Sequence, residues 1–236
     1  EYTVDFSILI SNFWSLGLDG LVVGAIYALI SLGYTLVYGV LRLINFAHSE
    51  IFMIGTMAVY FVVLQFGFTG YEDPLPLIKF IGIFLLFAVV AAIVSGGSAV
   101  LLEIVAYRRL RTMGASRLSS LISAIGASFF LVEVFRKISD SKNLDFPRLI
   151  NKDPFFTMGT LYLSADKVLV LVGAALIFLV LNRIINHTKL GMGIRAVSQD
   201  ERTAILMGVD VNRIISYTFL LGGVLAGVGS AFYMVF

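Results

Sequence analysis

Polar side chains that could carry ions or small molecules stand between two long hydrophobic runs near the start of the chain. The stretch Arg42-Leu-Ile-Asn-Phe-Ala-His-Ser-Glu50 contains Asn45, His48 and Glu50. Ionisable groups at membrane depth usually mark a substrate or ion path, so one interpretation is a broken or re-entrant helix that lines such a path. The other interpretation is a tight cytoplasmic turn, in which Asn45 or Ser49 caps the next helix and Glu50 complements its dipole. The residue types leave both open.

A second polar segment, the loop of residues 186–213, contains the signals of a short helix. Ser198-Gln-Asp-Glu201 has the spacing of a capping box, and Gly208 can adopt the left-handed conformation that ends a helix. The pattern predicts a helix of about two turns over residues 199–207. A helix this short is marginal alone, so we expect it either to dock on a partner protein or to rest on the ends of its own spans.

The elements that position these two segments are hydrophobic. The chain has 59% hydrophobic and 14% charged residues, against about 45–50% and about 25% in soluble domains. A bilayer core needs about 20 helical residues to cross it. Four uncharged runs reach that length and two shorter runs, residues 118–132 and 168–182, cross if flanking charges reach the interface. We therefore predict a single transmembrane domain over residues 1–236, an all-α polytopic bundle of about six spans. The four full runs are residues 20–41, 51–71, 80–102 and 214–236.

The two ends of the chain carry separate expectations. Phe6, Leu9, Ile10 and Phe13 recur at helical spacing opposite a polar face, which predicts an interfacial helix over residues 1–15. The last residue lies inside an apolar run. We therefore expect further residues after it, and more than six spans in the complete protein.

Lys and Arg placement predicts the orientation of the bundle. If six spans alternate, Arg42 and the basic loops 103–117 and 186–213 fall on one side, whereas the N-terminal segment and residues 67–77 fall on the other. Short cytoplasmic loops are enriched in Lys and Arg, so the first side is predicted to be cytoplasmic. The segment 136–167 then faces outward despite its own basic residues.

Several classes of function lack the residues they require. There is no Gly-x4-Gly-Lys-Ser/Thr loop to hold ATP phosphates, no Gly-x-Ser-x-Gly elbow and no His-Glu-x-x-His zinc motif. The chain has no Cys, which removes thiolate metal sites. We predict a membrane-lipid environment, with no catalytic site, no metal site and no nucleic-acid partner.

Two stretches resemble a known family. Gly24-Ala-Ile-Tyr-Ala-Leu-Ile-Ser-Leu-Gly-Tyr-Thr-Leu-Val-Tyr-Gly39, followed by Ile44-Asn-Phe-Ala-His-Ser-Glu50, resembles the LivH-type permeases of branched-chain amino-acid ABC importers. Gly193-Ile-Arg-Ala-Val-Ser-Gln-Asp200, with Ala204 and Gly208 after it, is similar to this family's cytoplasmic loop that docks on the ATPase subunit.

The resemblance implies a permease subunit in the bacterial inner membrane, with about eight spans in the complete protein. It would import branched-chain or neutral amino acids by alternating access, and separate subunits would bind the ATP. The implied partners are two ATP-binding cassette subunits, a periplasmic substrate-binding protein and a second, LivM-like permease or another copy. Asn45, His48 and Glu50 would flank the translocation path. The implied coupling residues are Arg195, Asp200, Glu201, Arg202, Ala204 and Gly208.

Two alternatives stay open at this point. An ion-coupled secondary transporter or channel would use His48 and Glu50 as proton or ion sites and would need no ATPase. A permease of the same type could also carry urea or short amides instead of amino acids.

Overall fold

The computed structural model describes residues 10, 12–68, 75–140, 146–147, 154–158 and 161–236. In chain order its elements are α1 (Phe13–Leu41), α2 (His48–Gln65), α3 (Leu77–Leu102), a π-helical segment (Glu103–Arg108), α4 (Arg109–Thr112), α5 (Arg117–Ile138), β1 (Phe156–Met158), β2 (Leu161–Leu163), α6 (Ala165–His187), α7 (Lys189–Gln199), α8 (Glu201–Leu206) and α9 (Val211–Val235).

Six of the described helices are long and apolar enough to cross a membrane. They are α1, α2, the continuous helix from α3 to α4, α5, α6 and α9, and the mean hydropathy of their most apolar windows runs from 1.3 to 2.6. Only helices and closed barrels satisfy every backbone N–H and C=O in lipid, so this pattern forms an all-α bundle. The predicted fold class and the six spans are confirmed.

The third span continues further than predicted. The sequence placed a loop at residues 103–117, but helix continues through Glu103 to Thr112 and leaves only residues 113–116 outside it. The carboxylate of Glu103 is paired with the guanidinium groups of Arg108 and Arg111 inside the protein. Because the charge is neutralised by partners, it does not end the helix.

The predicted interfacial helix of residues 1–15 falls largely on residues 1–9 and 11, which lie outside the described residues. Where the structure describes this region, Phe13 and Trp14 belong to the first turn of α1. The boundary predicted at residue 15 is therefore wrong, because nothing in residues 13–19 stops a helix from running into the span.

Helix α9 is the centre of the bundle and contacts α1, α2 and α3. Glycines allow these close approaches. Gly222 faces Gly33 of α1, where an added Cβ would lie 2.7 Å from the Gly222 carbonyl oxygen. Gly227 lies against the backbone of Ala91 in α3. Small residues let helix backbones approach closely in membranes.

The contacts also show which way each helix runs. Gly222 lies near Gly33 and Gly229 near Ile26, so α9 is antiparallel to α1. Lys167 at the start of α6 forms an ion pair with Asp19 near the start of α1, at 2.6 Å. The β1–β2 hairpin lies at this same end, where the Lys167 ammonium also donates to Tyr162 O.

The other end of the bundle is called the basic end. It contains Arg42, Arg108 and Arg111 together with α7, α8 and the first turn of α9. The Arg42 guanidinium donates to Ser198 O at 2.9 Å, and that of Arg111 donates to the Asn212 side chain at 2.7 Å. The structure therefore brings the two predicted basic loops to one end.

A hydrophobic cluster attaches α7 and α8 to the spans at the basic end. Ile194 and Val197 of α7 and Ala204 of α8 belong to one buried cluster with residues from α1, α2, the third span and α9. The short helices therefore lie on their own bundle. They do not project freely from it.

Candidate functional site

The first candidate site is the non-helical segment of residues 42–47. Helix α1 ends at Leu41, Arg42 takes a left-handed backbone with φ of 52°, and α2 begins at His48. The His48 Nε2 atom lies 3.2 Å from Ile30 O, eleven residues before the end of α1. The imidazole of His48 therefore reaches from the start of α2 to the backbone of α1 inside the bundle.

Buried contacts hold this segment in place. The Asn45 side chain is 2% exposed, and its Oδ1 atom accepts hydrogen bonds from Ala47 N at 3.2 Å and from the Tyr107 hydroxyl at 2.9 Å. The Asn45 Nδ2 atom is buried without a hydrogen-bond partner. The ring of His48 meets the ring of Tyr34 edge-on at 5.8 Å. These contacts fix Asn45 against Tyr107 and His48 against Tyr34.

Asn45 and His48 are both buried, as a segment inside the bundle requires, and Asn45 Oδ1 accepts from Ala47 N directly before α2, as a capping turn requires. The broken-helix interpretation and the turn interpretation both stay predictions. Glu50 lies in the first turn of α2, is 8% exposed and accepts a hydrogen bond from Ser49 Oγ at 3.0 Å. The three residues predicted for a path therefore share one buried region at the start of α2.

The second candidate site is the pair of short helices at the basic end. Helix α7 was not predicted, although Thr188 is its N-cap and accepts from Gly191 N. The Ser198 to Glu201 capping box is wrong, because Ser198 lies inside α7 and its hydroxyl donates to Arg195 O. Asp200 is the cap of α8 instead.

Asp200 caps α8 through its carboxylate. One oxygen accepts from Arg202 N at 2.9 Å, and the other accepts from the Thr203 hydroxyl. These hydrogen bonds, that from the Thr203 hydroxyl first, hold the pKa of Asp200 below its usual value. Helix α8 therefore begins at Glu201, two residues later than predicted, and Gly208 follows it with φ of 82°.

The predicted coupling residues occupy different positions around α8. Asp200, Glu201 and Arg202 are exposed, but Ala204 is only 3% exposed and packs against the bundle. The Arg195 guanidinium donates to Ile185 O and so ties α7 to the end of α6. Ala204 therefore fixes α8 to the bundle by packing, whereas Arg195 is exposed and fixes α7 through a hydrogen bond.

The exposed apolar residues of α8 were missed by sequence reasoning. Ile205 is 56% exposed, Leu206 86% and Met207 80%. They form an apolar tip at the basic end, defined by these three residues. The run Ala-Ile-Leu-Met before Gly208 was visible in the sequence, but the side that faces outward was not, because the helix is too short to show a periodicity.

A third polar cluster, also missed, surrounds Glu103. Its side chain is 0% exposed and pairs with Arg108 at 2.6 Å and Arg111 at 3.2 Å. The Ser216 hydroxyl of α9 donates to the same carboxylate at 3.0 Å. Residues five apart do not face each other on an α-helix. The wider π-helical turn brings Arg108 back over Glu103.

Comparisons with known proteins agree with one another. Residues 17–236 match the family described as branched-chain amino acid transport system / permease component. The chain is 37% identical over 217 residues to the high-affinity branched-chain amino acid transport system permease protein BraD of Pseudomonas aeruginosa, covering 90% of this chain and 67% of that protein. It is 32% identical over 215 and 217 residues to the LivH permease proteins of Salmonella typhimurium and Escherichia coli K12, again 67% of each.

No solved structure matches the chain. The family match covers residues 17–236, which include the segment at residues 42–47, the π-helical segment and both short helices. The chain therefore belongs to the family of permease components of branched-chain amino acid transport systems.

Proposed function

We propose that this chain is the permease subunit of an ATP-driven importer of branched-chain or neutral amino acids. The apolar tip of α8 carries this proposal. Three adjacent apolar side chains that face water outside the spans do not stabilise the protein on its own. Such a patch therefore indicates a protein partner. The relatives are permease proteins of high-affinity branched-chain amino acid transport systems, which supports the same substrate class.

The partner of the apolar tip is an ATP-binding cassette subunit on the cytoplasmic side of a bacterial inner membrane. The basic end is cytoplasmic, since Arg42, Arg108 and Arg111 lie there and short cytoplasmic loops favour such residues. Two ATPase subunits, a second related permease or another copy, and a periplasmic substrate-binding protein complete the assembly. One ATPase subunit would receive Leu206 and Met207 in an apolar pocket, with Asp200, Glu201 and Arg202 at its rim.

The residues at the start of α2 flank the translocation path in this proposal. Alternating access requires that the nucleotide-bound and nucleotide-free ATPase states favour different arrangements of the spans. The segment of residues 42–47 is suited to change, because it is held by individual hydrogen bonds and not by a helical ladder. The amino acid would pass beside Asn45, His48 and Glu50.

Met207→Glu in the assembled transporter tests the docking proposal. A carboxylate in the centre of an apolar contact would have to be buried without a partner, so we expect at least a tenfold loss of ATPase subunit co-purifying with tagged permease. Met113→Glu is the matched control, since Met113 is also a methionine at the basic end and is 66% exposed. Equal co-purification with both variants would rule out the apolar tip as the docking surface.

A further inference from the structure

On one side, the π-helical segment contacts the segment of residues 42–47 near the proposed path. Tyr107 is 2% exposed and its hydroxyl donates to Asn45 Oδ1 at 2.9 Å. The same Asn45 oxygen accepts from Ala47 N, directly before α2 begins. The position of Tyr107 therefore influences the first turn of α2, where His48 lies.

On its other side the π-helical segment is connected to the region that follows α8. Glu103 accepts from Ser216 Oγ, and the Arg108 guanidinium donates to the same hydroxyl at 2.6 Å. Arg111, one turn further, donates to Asn212 in the first turn of α9. Only residues 207–210 separate α8 from α9. A movement of α8 therefore reaches these contacts through a very short connection.

Space for movement exists between the two sides. A cavity of about 160 Å³ is lined by Tyr107 and Arg111 of the third span, by Glu201 at the start of α8 and by Ile215 of α9. Nη1 of Arg111 is buried without a hydrogen-bond partner. A π-helical turn can revert to α-helical geometry by a shift of one residue, which would rotate Tyr107 away from Asn45. The surroundings leave room for that rotation.

We infer that the π-helical segment transmits the docking state of α8 to the segment of residues 42–47, with Glu103 and Tyr107 as positioning residues. Docking acts on α9 through the short connection, α9 acts on Glu103 through Ser216, and Tyr107 acts on Asn45. This inference rests on the proposed docking of an ATPase subunit at α8. The physical requirement is a two-state element whose equilibrium both sites bias, and the π-helical turn is that element.

The direct test is Tyr107→Phe in the assembled transporter in proteoliposomes, with leucine uptake and ATP hydrolysis measured together. The change removes one hydroxyl and keeps the ring, so assembly should be retained. We expect the leucine imported per ATP hydrolysed to fall at least fivefold, in line with typical coupling between sites. The matched control is Tyr217→Phe, at an exposed tyrosine of α9. A ratio equal to the control would overturn the inference, because a purely structural role lowers assembly and leaves the ratio unchanged.

A second measurement separates this inference from the proposed function. In the purified protein, Glu103→Gln should speed amide hydrogen exchange at residues 45–49, which Glu103 does not contact, as well as at residues 211–216. The control is Glu133→Gln, which breaks the exposed Glu133–Arg136 pair instead. Faster exchange confined to residues 103–112 and 211–216 would overturn the relay whatever the transport assay shows. A wild-type complex that imports nothing would defeat only the proposed function.

Discussion

At the scale of single residues, His48 is the most informative side chain of the proposed path. It is 4% exposed, approaches Ile30 O and lies against Tyr34. Ionisable residues buried among membrane-spanning helices are rare and usually mark function. Its ring also lies over Gly33, where an added Cβ would come within 3.3 Å of His48 Cε1. The backbone of α1 thus makes room for the imidazole.

We predict that His48→Ala lowers leucine uptake at least tenfold while the ATPase subunits still co-purify, because the path is altered and the docking surface is not. His187→Ala is the matched control, at an exposed histidine that ends α6. The measurement is initial uptake rate in proteoliposomes at equal amounts of assembled complex. Unchanged uptake in His48→Ala would make His48 a packing residue and remove it from the path.

Asp200 caps α8 and stabilises its first turn. Asp200→Ala should speed hydrogen exchange of the α8 amides several-fold, whereas Asp200→Asn, an equally good cap, should leave it nearly unchanged. The pKa of Asp200 is lowered in the folded protein, so its contribution is present above the ordinary value of 3.8 and is lost as the pH falls through the lowered pKa. Asp200 should therefore stay ionised between pH 5 and 8, and docking should not vary with pH through this residue in that range. Equal exchange in the alanine and asparagine variants would contradict the cap assignment.

At the scale of elements, hydrophobic run length predicted the six spans and left their ends uncertain. The fifth span was predicted at residues 168–182 and is observed as Ala165–His187. Lys167 at its start is paired with Asp19, so its charge does not end the helix. Gly208 after α8 was predictable, because few residues other than glycine adopt the left-handed backbone conformation that ends a helix. The start of α8 was not predictable, because Ser198 and Asp200 are both residue types that favour the N-cap position. Only the preceding helix, α7, decides between them.

The elements that sequence could not predict are those defined by contacts between distant residues. Glu103 looked like the end of a span, because its partner Ser216 is over a hundred residues away in the chain. The contact between His48 of α2 and Ile30 of α1 joins two different spans, so no local pattern shows it. In both places a polar group lies where composition predicts lipid or solvent. These are also the places proposed to function.

At the scale of the whole molecule, the two ends of the bundle differ in character. The basic end carries Arg42 at the start of the segment of residues 42–47, the buried Glu103 cluster and the exposed apolar tip. The opposite end carries the Asp19–Lys167 pair and the β-hairpin. Helix α9 joins the ends through the glycine-lined centre, where Gly222 and Gly227 contact α1 and α3. A movement imposed at α8 is thus applied directly to the helix that contacts α1, α2 and α3.

The most direct test of the proposed ATP-driven import is a measurement of the energy source of transport. Leucine uptake should be measured in proteoliposomes that contain the permease, its ATPase subunits and the binding protein, with ATP inside and with ionophores that remove proton and sodium gradients. We predict uptake that requires ATP, is unaffected by the ionophores and is competed by alanine or proline but not by urea. Uptake that is driven by an ion gradient without the ATPase subunits would contradict the proposed ATP-driven import. It would identify an ion-coupled transporter instead.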